Sequence, residues 1–226
     1  MALKSLINLF YPTLCEGCGK PVGDSIVLCI GCSAELPLTG FATIPDNETA
    51  MRFAGRVHLA NAMSLAWFTN DGLMQHLLHG LKYTGKKKNG LHIGRLIGDA
   101  LNEAGWADDI EALIPVPLHQ RKEALRGYNQ SLVLCKGIAE ITGLQIHSDA
   151  LCRVKYTESQ THMTREERIM NMEAAFKVVQ PEKIIGKHIL LVDDVVTTGA
   201  TLEACALALL SVAGVQVSIA TAAIAV

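Results

Sequence analysis

A chain of 226 residues, 50% hydrophobic and 19% charged, has enough apolar side chain for one good core and a small appendage, and is too apolar to stay disordered. Its net charge of −2 and pI near 6.4 exclude a general attraction to nucleic acid or anionic membrane. A polyanion would have to meet a local patch.

The first residues, MALKSLINLFYPTLC, hold one lysine and a short apolar stretch broken by Asn8, without a small-residue cleavage site. No signal peptide is expected, and the chain reads as cytoplasmic, with its thiols reduced. Four of the seven cysteines crowd together as Cys15-x-x-Cys18, ten residues, then Cys29-x-x-Cys32. Gly17, Gly19 and Gly31 permit the tight turns that aim backbone N–H groups at sulfur. Four thiolates at this spacing suit a closed tetrahedral Zn²⁺ site that holds structure. The competing view is a pair of CxxC redox centres, although neither opens a thioredoxin-like βα unit. Residues 1–40 are expected as a zinc-binding module. The stretch after Cys32, SAELPLTGFATIPDNETAMRFAG, has little period and leads to an expected linker at 41–56. Residues 57–226 form the main domain, where Cys135, Cys152 and Cys205 read as core packing.

From residue 57 the pattern is α/β. VHLANAMSLAWF reads as paired strands, and DGLMQHLLHGLKY as a helix with Asp71 as its N-cap. Residues 80–95, GLKYTGKKKNGLHIGR, hold five cations, Lys82, Lys86, Lys87, Lys88 and Arg95, and no acid. Such a run is a solvated cluster, a phosphate site or a contact for single-stranded DNA. LHIGRLIGDALNEAG is a helix stopped by Gly105, IEALIPVPL a buried strand, and NQSLVLCKGIAEITG a helix ending at Gly143. IIGKHILLVDD, TLEACALALLSVAG and VQVSIATAAIAV follow as strand, helix and strand, which implies right-handed crossovers in a parallel sheet. The last 23 residues, Ala204–Val226, are uncharged and long enough to span a bilayer. Gly214 divides them, and VQVSIAT alternates with period two, so no membrane insertion is expected. The histidines, His76 and His79 included, form no ligand spacing and are assigned to packing or surface.

The stretch LLVDDVVTTGAT carries chemistry. Leu190, Leu191 and Val192 belong to the sheet, Asp193 and Asp194 fall at its carboxyl end, and Thr197, Thr198, Gly199, Ala200 and Thr201 turn into the next helix. Ligands of open α/β sheets bind at that end. The turn has the properties of an anion cradle, with a glycine free to take positive φ, N–H groups at a helix start, and hydroxyl donors. Two carboxylates beside such a cradle would repel a bare phosphate. A ribose fits, because its hydroxyls donate to the acids while its 5-phosphate lies in the turn. The stretch is neither a Walker A loop nor a Gly-x-Gly-x-x-Gly turn.

ILLVDDVVTTGAT resembles the phosphoribosyl pyrophosphate (PRPP) motif of type I phosphoribosyltransferases. The rest of the chain resembles the ComF branch of that family: the four-cysteine module, LKYTG, PVPLHQRKEALRGYNQ, and Thr157, Gln160, Arg168, Asn171 and Phe176 appear in order. The resemblance implies an α/β parallel-sheet phosphoribosyltransferase domain with a small zinc-ribbon-like module. It also implies Asp193 and Asp194 as catalytic residues, Mg²⁺ with PRPP, and a link to competence and DNA uptake. Transfer must neutralise a departing pyrophosphate and exclude water. Arg126 is the leading pyrophosphate contact, with Lys82, Arg121 and Lys122 as further candidates; Arg121 and Lys122 also read as solvated loop charges. Gln160, Arg168 and Asn171 lie in a charged segment, 153–171, expected as a lid or as a solvated connection.

Three functions remain open on the sequence. One is a PRPP-dependent enzyme. Another is a PRPP or nucleotide sensor without turnover. In the third, the domain organises competence proteins or meets single-stranded DNA through Lys82–Lys88.

Overall fold

Ile189, Leu190, Leu191 and Val192 are all fully buried, and a run apolar on both faces leaves water only inside a sheet covered on both sides. The computed structural model describes residues 12–154 and 175–226. It begins with an antiparallel pair, β1 (Thr13–Leu14) and β2 (Pro21–Val22), followed by α1 (Ile30–Ala34) and α2 (Glu48–Met51). Next come β3 (Ala62–Phe68), α3 (Leu73–Tyr83), α4 (Lys87–Glu103) and α5 (Trp106–Asp109). They lead into β4 (Ala112–Pro115), α6 (Gln120–Arg126), α7 (Gln130–Thr142) and β5 (Gln145–Ile146). β6 (Leu151–Arg153) and β7 (Phe176–Val178) pair antiparallel outside the main sheet. β8 (His188–Val196), α8 (Ala200–Leu210) and β9 (Gln216–Ala225) complete the chain.

The main sheet has five strands in the order β3-β9-β8-β4-β5, all parallel, so the expected α/β class holds. The crossover from β8 runs one way, to β9, and that from β4 runs the other way, to β5. Right-handed crossovers of opposite direction put α8 and α7 on opposite faces and open a crevice at the carboxyl ends of β8 and β4. Pro115, the last residue of β4, pairs with Val192, whereas β8 continues to Val196. On its β4 side, the strand therefore carries Asp193 and Asp194 past the end of its neighbour.

Several local expectations are corrected. VHLANAMSLAWF is one strand, not two, because β3 lies along β9 while residues ahead of it join the ladder irregularly, through Ala60 N to Val217 O at 2.8 Å and Ile219 N to Asn61 O at 2.9 Å. Asp71 does not cap α3: it turns left-handed at φ 58°, its N–H donates to Gln75 Oε1 at 2.6 Å, and the cap position falls to Gly72. Cys152 is half-buried rather than in the core, unlike Cys135 and Cys205.

Residues 41–56, expected as a linker, are anchored to the sheet at a few buried positions, Phe41, Asn47, Thr49 and Phe53. Asn47 donates to Phe41 O, Ile44 O and Ala62 O and also caps α2. Thr49, Ser64 and Thr221 form a buried chain of hydroxyl contacts, 2.8 and 2.7 Å, that ties this segment to β3 and β9 and satisfies their polar atoms. The outer edge of β3 is covered as well, by Thr39 N to Leu65 O and Trp67 N to Pro37 O. Among the described residues, no helix is long and apolar enough to cross a membrane.

Gly94 and Gly137 let α4 and α7 meet backbone to backbone. A Cβ on Gly137 would stand 2.3 Å from Leu91 O, and one on Gly94 would stand 2.3 Å from Leu134 O. Gly137→Ala must displace α7, whose first turn carries a side chain of the site. A loss of about 2–3 kcal/mol in urea unfolding is expected; an unchanged midpoint would refute the close contact.

Candidate functional site

Asp193 and Asp194 anchor the site. Asp193 Oδ1 accepts from Ser131 Oγ at 2.9 Å and from the N–H of Asp194 at 2.8 Å. Ser131 is in place because Asn129 caps α7, accepting from Ser131 N at 2.9 Å, and ties the helix start to Val116 O at 2.9 Å. Lost solvation, and then the Asp194 charge beside it, raise the Asp193 carboxyl from its ordinary 3.8 to about 7, against the pull of the hydrogen bonds and of Lys82. Asp194 is 6% exposed, and its Oδ2 lies 3.1 Å from Lys82 Nζ. That ion pair lacks hydrogen-bond alignment, so Asp194 Oδ2 is buried without a donor among the described residues.

Lys82, in the last turn of α3, also lines a cleft of about 370 Å³ with Tyr83, Gly85, Lys122, Leu125 and Arg126. Three of the four expected pyrophosphate cations thus converge; Arg121 does not line this cleft. The GYNQ stretch holds the cleft's shape. Gly127 ends α6 with φ 76°, Tyr128 Oη donates to Leu81 O, and Arg126 donates to Gln130 Oε1. Arg126 also lies over the Tyr83 ring, 5.8 Å from its centroid. Gln160, Arg168 and Asn171 lie outside the described residues.

Just past the carboxyl end of β8, Gly199 takes the left-handed φ of 79° that the turn requires, and a Cβ there would stand 2.9 Å from Phe53 Cε1. Arg52 donates to Thr197 O and, at 2.5 Å, to Ala225 O. Arg56 donates to Thr198 O at 3.0 Å and pairs with Glu203. No motif marked these residues, which came within the expected linker.

The four cysteine sulfurs lie within 4.8 Å of one another, with Cys18 Sγ 3.7 Å from Cys29 Sγ. A tetrahedron with Zn–S bonds of about 2.3 Å has edges of about 3.8 Å, so the set fits a divalent metal such as zinc. Burial opposes ionisation of Cys15, but N–H groups of Cys29, Cys18 and Gly17 bring its thiol down to about 6. The Cys29 N–H reaches Cys15 Sγ at 3.2 Å.

Part of the basic run is paired within the fold. Glu16, between the first two cysteines, meets Lys86 at 2.6 Å and Lys88 at 3.2 Å, with His76 at 3.9 Å. Burial raises the Glu16 carboxyl, and the two lysines outweigh it and hold it below the ordinary carboxylate value. Lys87 lies 4.6 Å from the centroid of the Tyr128 ring, and Arg95 pairs with Glu140 at 2.7 Å. With Lys82 on Asp194, each of the five cations has a partner, while Lys86, Lys88 and Arg95 keep 41%, 44% and 41% of their side chains exposed. An acid inside CxxC was the one sequence signal for this pairing.

A parallel sheet with an acidic pair at its switch point, followed by a Thr-Thr-Gly turn, defines a phosphoribosyltransferase-like domain. Residues 148–225 match the family described as Phosphoribosyl transferase domain. Over 200 residues the chain is 30% identical to the DNA utilization protein YhgH of Salmonella typhi and 32% identical to that of Salmonella typhimurium, covering 87% of this chain and 84% of theirs in both cases. Competence protein F of Haemophilus influenzae is 35% identical over 94 residues, 41% of each chain. The protein belongs to the ComF family, with relatives named DNA utilization protein YhgH, Competence protein F and Competence protein ComFC.

The raised Asp193 carboxyl has a signed consequence. Between its ordinary 3.8 and about 7, the native chain holds a proton that the unfolded chain has released, so stability falls as pH rises through that window and levels off above it. Asp193→Asn removes this slope. In urea melts at successive pH values, the unfolding free energy of the wild type minus that of the variant should decline until about pH 7 and then flatten; a flat difference throughout would show that Asp193 ionises normally.

Proposed function

We propose that the protein binds PRPP with Mg²⁺ and transfers its phosphoribosyl group, in support of DNA uptake or nucleotide use. The observation that carries this reading is the pair of half-buried Asp193 and buried Asp194, joined by Lys82 to a basic cleft and followed directly by a phosphate-type turn. Buried like charges stabilise nothing by themselves. Ribose hydroxyls supply the donors that Asp194 Oδ2 lacks. The 5-phosphate would occupy Thr197–Thr201, and the pyrophosphate would extend toward Lys82, Lys122 and Arg126. Mg²⁺ arrives with PRPP and offsets part of the charge of the leaving group. The DNA-related role rests on the names of the relatives.

Calorimetric titration with Mg-PRPP tests the grip. Asp193→Asn combined with Asp194→Asn should weaken binding at least about 100-fold while circular dichroism is retained, since each charged hydrogen bond contributes about 1.5–3 kcal/mol. Equal affinity in the double variant would sink the assignment. Pyrophosphate release across bases, amines and DNA ends then separates an enzyme from a sensor: binding without release from any acceptor makes the protein a sensor.

The four-cysteine set is proposed to hold structural zinc. Metal analysis should find about one zinc per chain, and Cys15→Ser should lower both zinc content and melting temperature, because binding and folding are coupled at such sites. Disulfides between Cys15 and Cys18 or between Cys29 and Cys32 in the purified protein, without metal, would favour the redox reading.

A further inference from the structure

We propose that Arg52 and Arg56 are positioning residues of the phosphate turn: by holding the carbonyl oxygens of Thr197 and Thr198, they aim the N–H groups of Thr198 and Gly199 at the ribose 5-phosphate. The inference rests on the PRPP reading and assigns it a component that lies outside the motif.

The argument begins with the peptide unit. In a trans peptide, C=O and N–H point in opposite directions, and the described chain has no cis peptide. A donor fixed on Thr197 O therefore sets the direction of the Thr198 N–H, and a donor on Thr198 O sets that of Gly199. Arg52 and Arg56 are those two donors. Among the described residues, the N–H groups of Thr198 and Gly199 meet no acceptor, while Ala200 N makes only a long contact of 3.4 Å to Thr198 Oγ1. Two successive free N–H groups ahead of a helix, the second on a left-handed glycine, make an anion concavity.

The two guanidinium groups are themselves fixed. Arg52 spans from Thr197 O to Ala225 O at the end of β9, so the turn is referenced to a central strand of the sheet. Arg56 also donates to Arg52 O at 2.9 Å and pairs with Glu203 in the first turn of α8. Between them Phe53, 1% exposed, packs against Gly199 and leaves no room for a side chain there. The turn is thus clamped from behind by residues 52–56. Charge acts in the same direction, because a cation on each carbonyl polarises the peptide and strengthens the N–H on its far side. Lysine cannot replace Arg52 in full, since an ammonium lacks the planar fork that spans two carbonyls.

The test measures two ligands separately on wild type, Arg52→Gln, Arg56→Gln and Arg52→Lys. Ribose 5-phosphate probes the turn, and inorganic pyrophosphate probes the cleft at Lys82, Lys122 and Arg126, which the arginines do not touch. Each glutamine variant should weaken ribose 5-phosphate about tenfold and leave pyrophosphate within about twofold, with Arg52→Lys falling between wild type and Arg52→Gln. Unchanged ribose 5-phosphate affinity in the variants overturns the proposal, as does an equal loss for both ligands, which would mark a general loosening of the fold. Should Arg52→Gln fail to fold, Arg52→Lys and Arg56→Gln decide by the same criterion. Absence of ribose 5-phosphate binding in the wild type would instead remove the PRPP reading itself.

Discussion

Two adjacent carboxylates in a buried strand are the constraint around which this molecule is arranged. Asp193 and Asp194 sit where β8 outruns β4, largely enclosed, and the Asp194 charge adds to the desolvation that raises Asp193. The fold answers with an Asp193 carboxyl raised to about 7, with the donors of Ser131 and the Asp194 N–H, and with the Lys82 ammonium. Each answer recruits a different element. Ser131 requires α7 to start at its Asn129 cap, and Lys82 requires α3 to end beside the sheet, where the carbonyl end of a helix also favours a cation. The close crossing of α4 on α7 at Gly94 and Gly137 fixes where α7, with Ser131 in its first turn, lies.

From Lys82 the organisation spreads to the N-terminal part of the chain. The α3–α4 turn is held by Glu16, whose position between Cys15 and Cys18 is set by the four-cysteine cluster. Further along, Arg52, Phe53 and Arg56 support the phosphate turn from behind. The small module has too few residues for a core of its own, and its buried Cys15, Val27, Leu28, Cys32 and Leu36 run continuously into the main core. Through Glu16 the module meets the α3–α4 turn, and residues 52–56 after it meet the phosphate turn.

Legibility in the sequence followed the range of the interaction. Helix stops at Gly105 and Gly143, the buried strands, the cysteine spacing and the acid–threonine–glycine motif are local patterns, and the structure agrees with them. The partners of the lysine run were not legible, because charge along a chain says nothing about what faces it: they are Glu16, Asp194, the Tyr128 ring and Glu140. Residues 41–56 read as a linker for a similar reason. Their apolar and polar anchors, Phe41, Asn47, Thr49 and Phe53, are too sparse to show a period, yet each finds a place in or against the sheet.

By itself the sequence determined strands β4, β8 and β9, helices α3, α4, α7 and α8, and the chemical character of the turn after Val196, because steric preference, hydrophobic period and glycine chirality act within a few residues. Only the tertiary structure decided which cation meets which carboxylate and which carbonyl the arginines hold. Those contacts join residues as far apart as Arg52 and Ala225, and no local pattern encodes a distance that only the packed sheet brings to hydrogen-bond length.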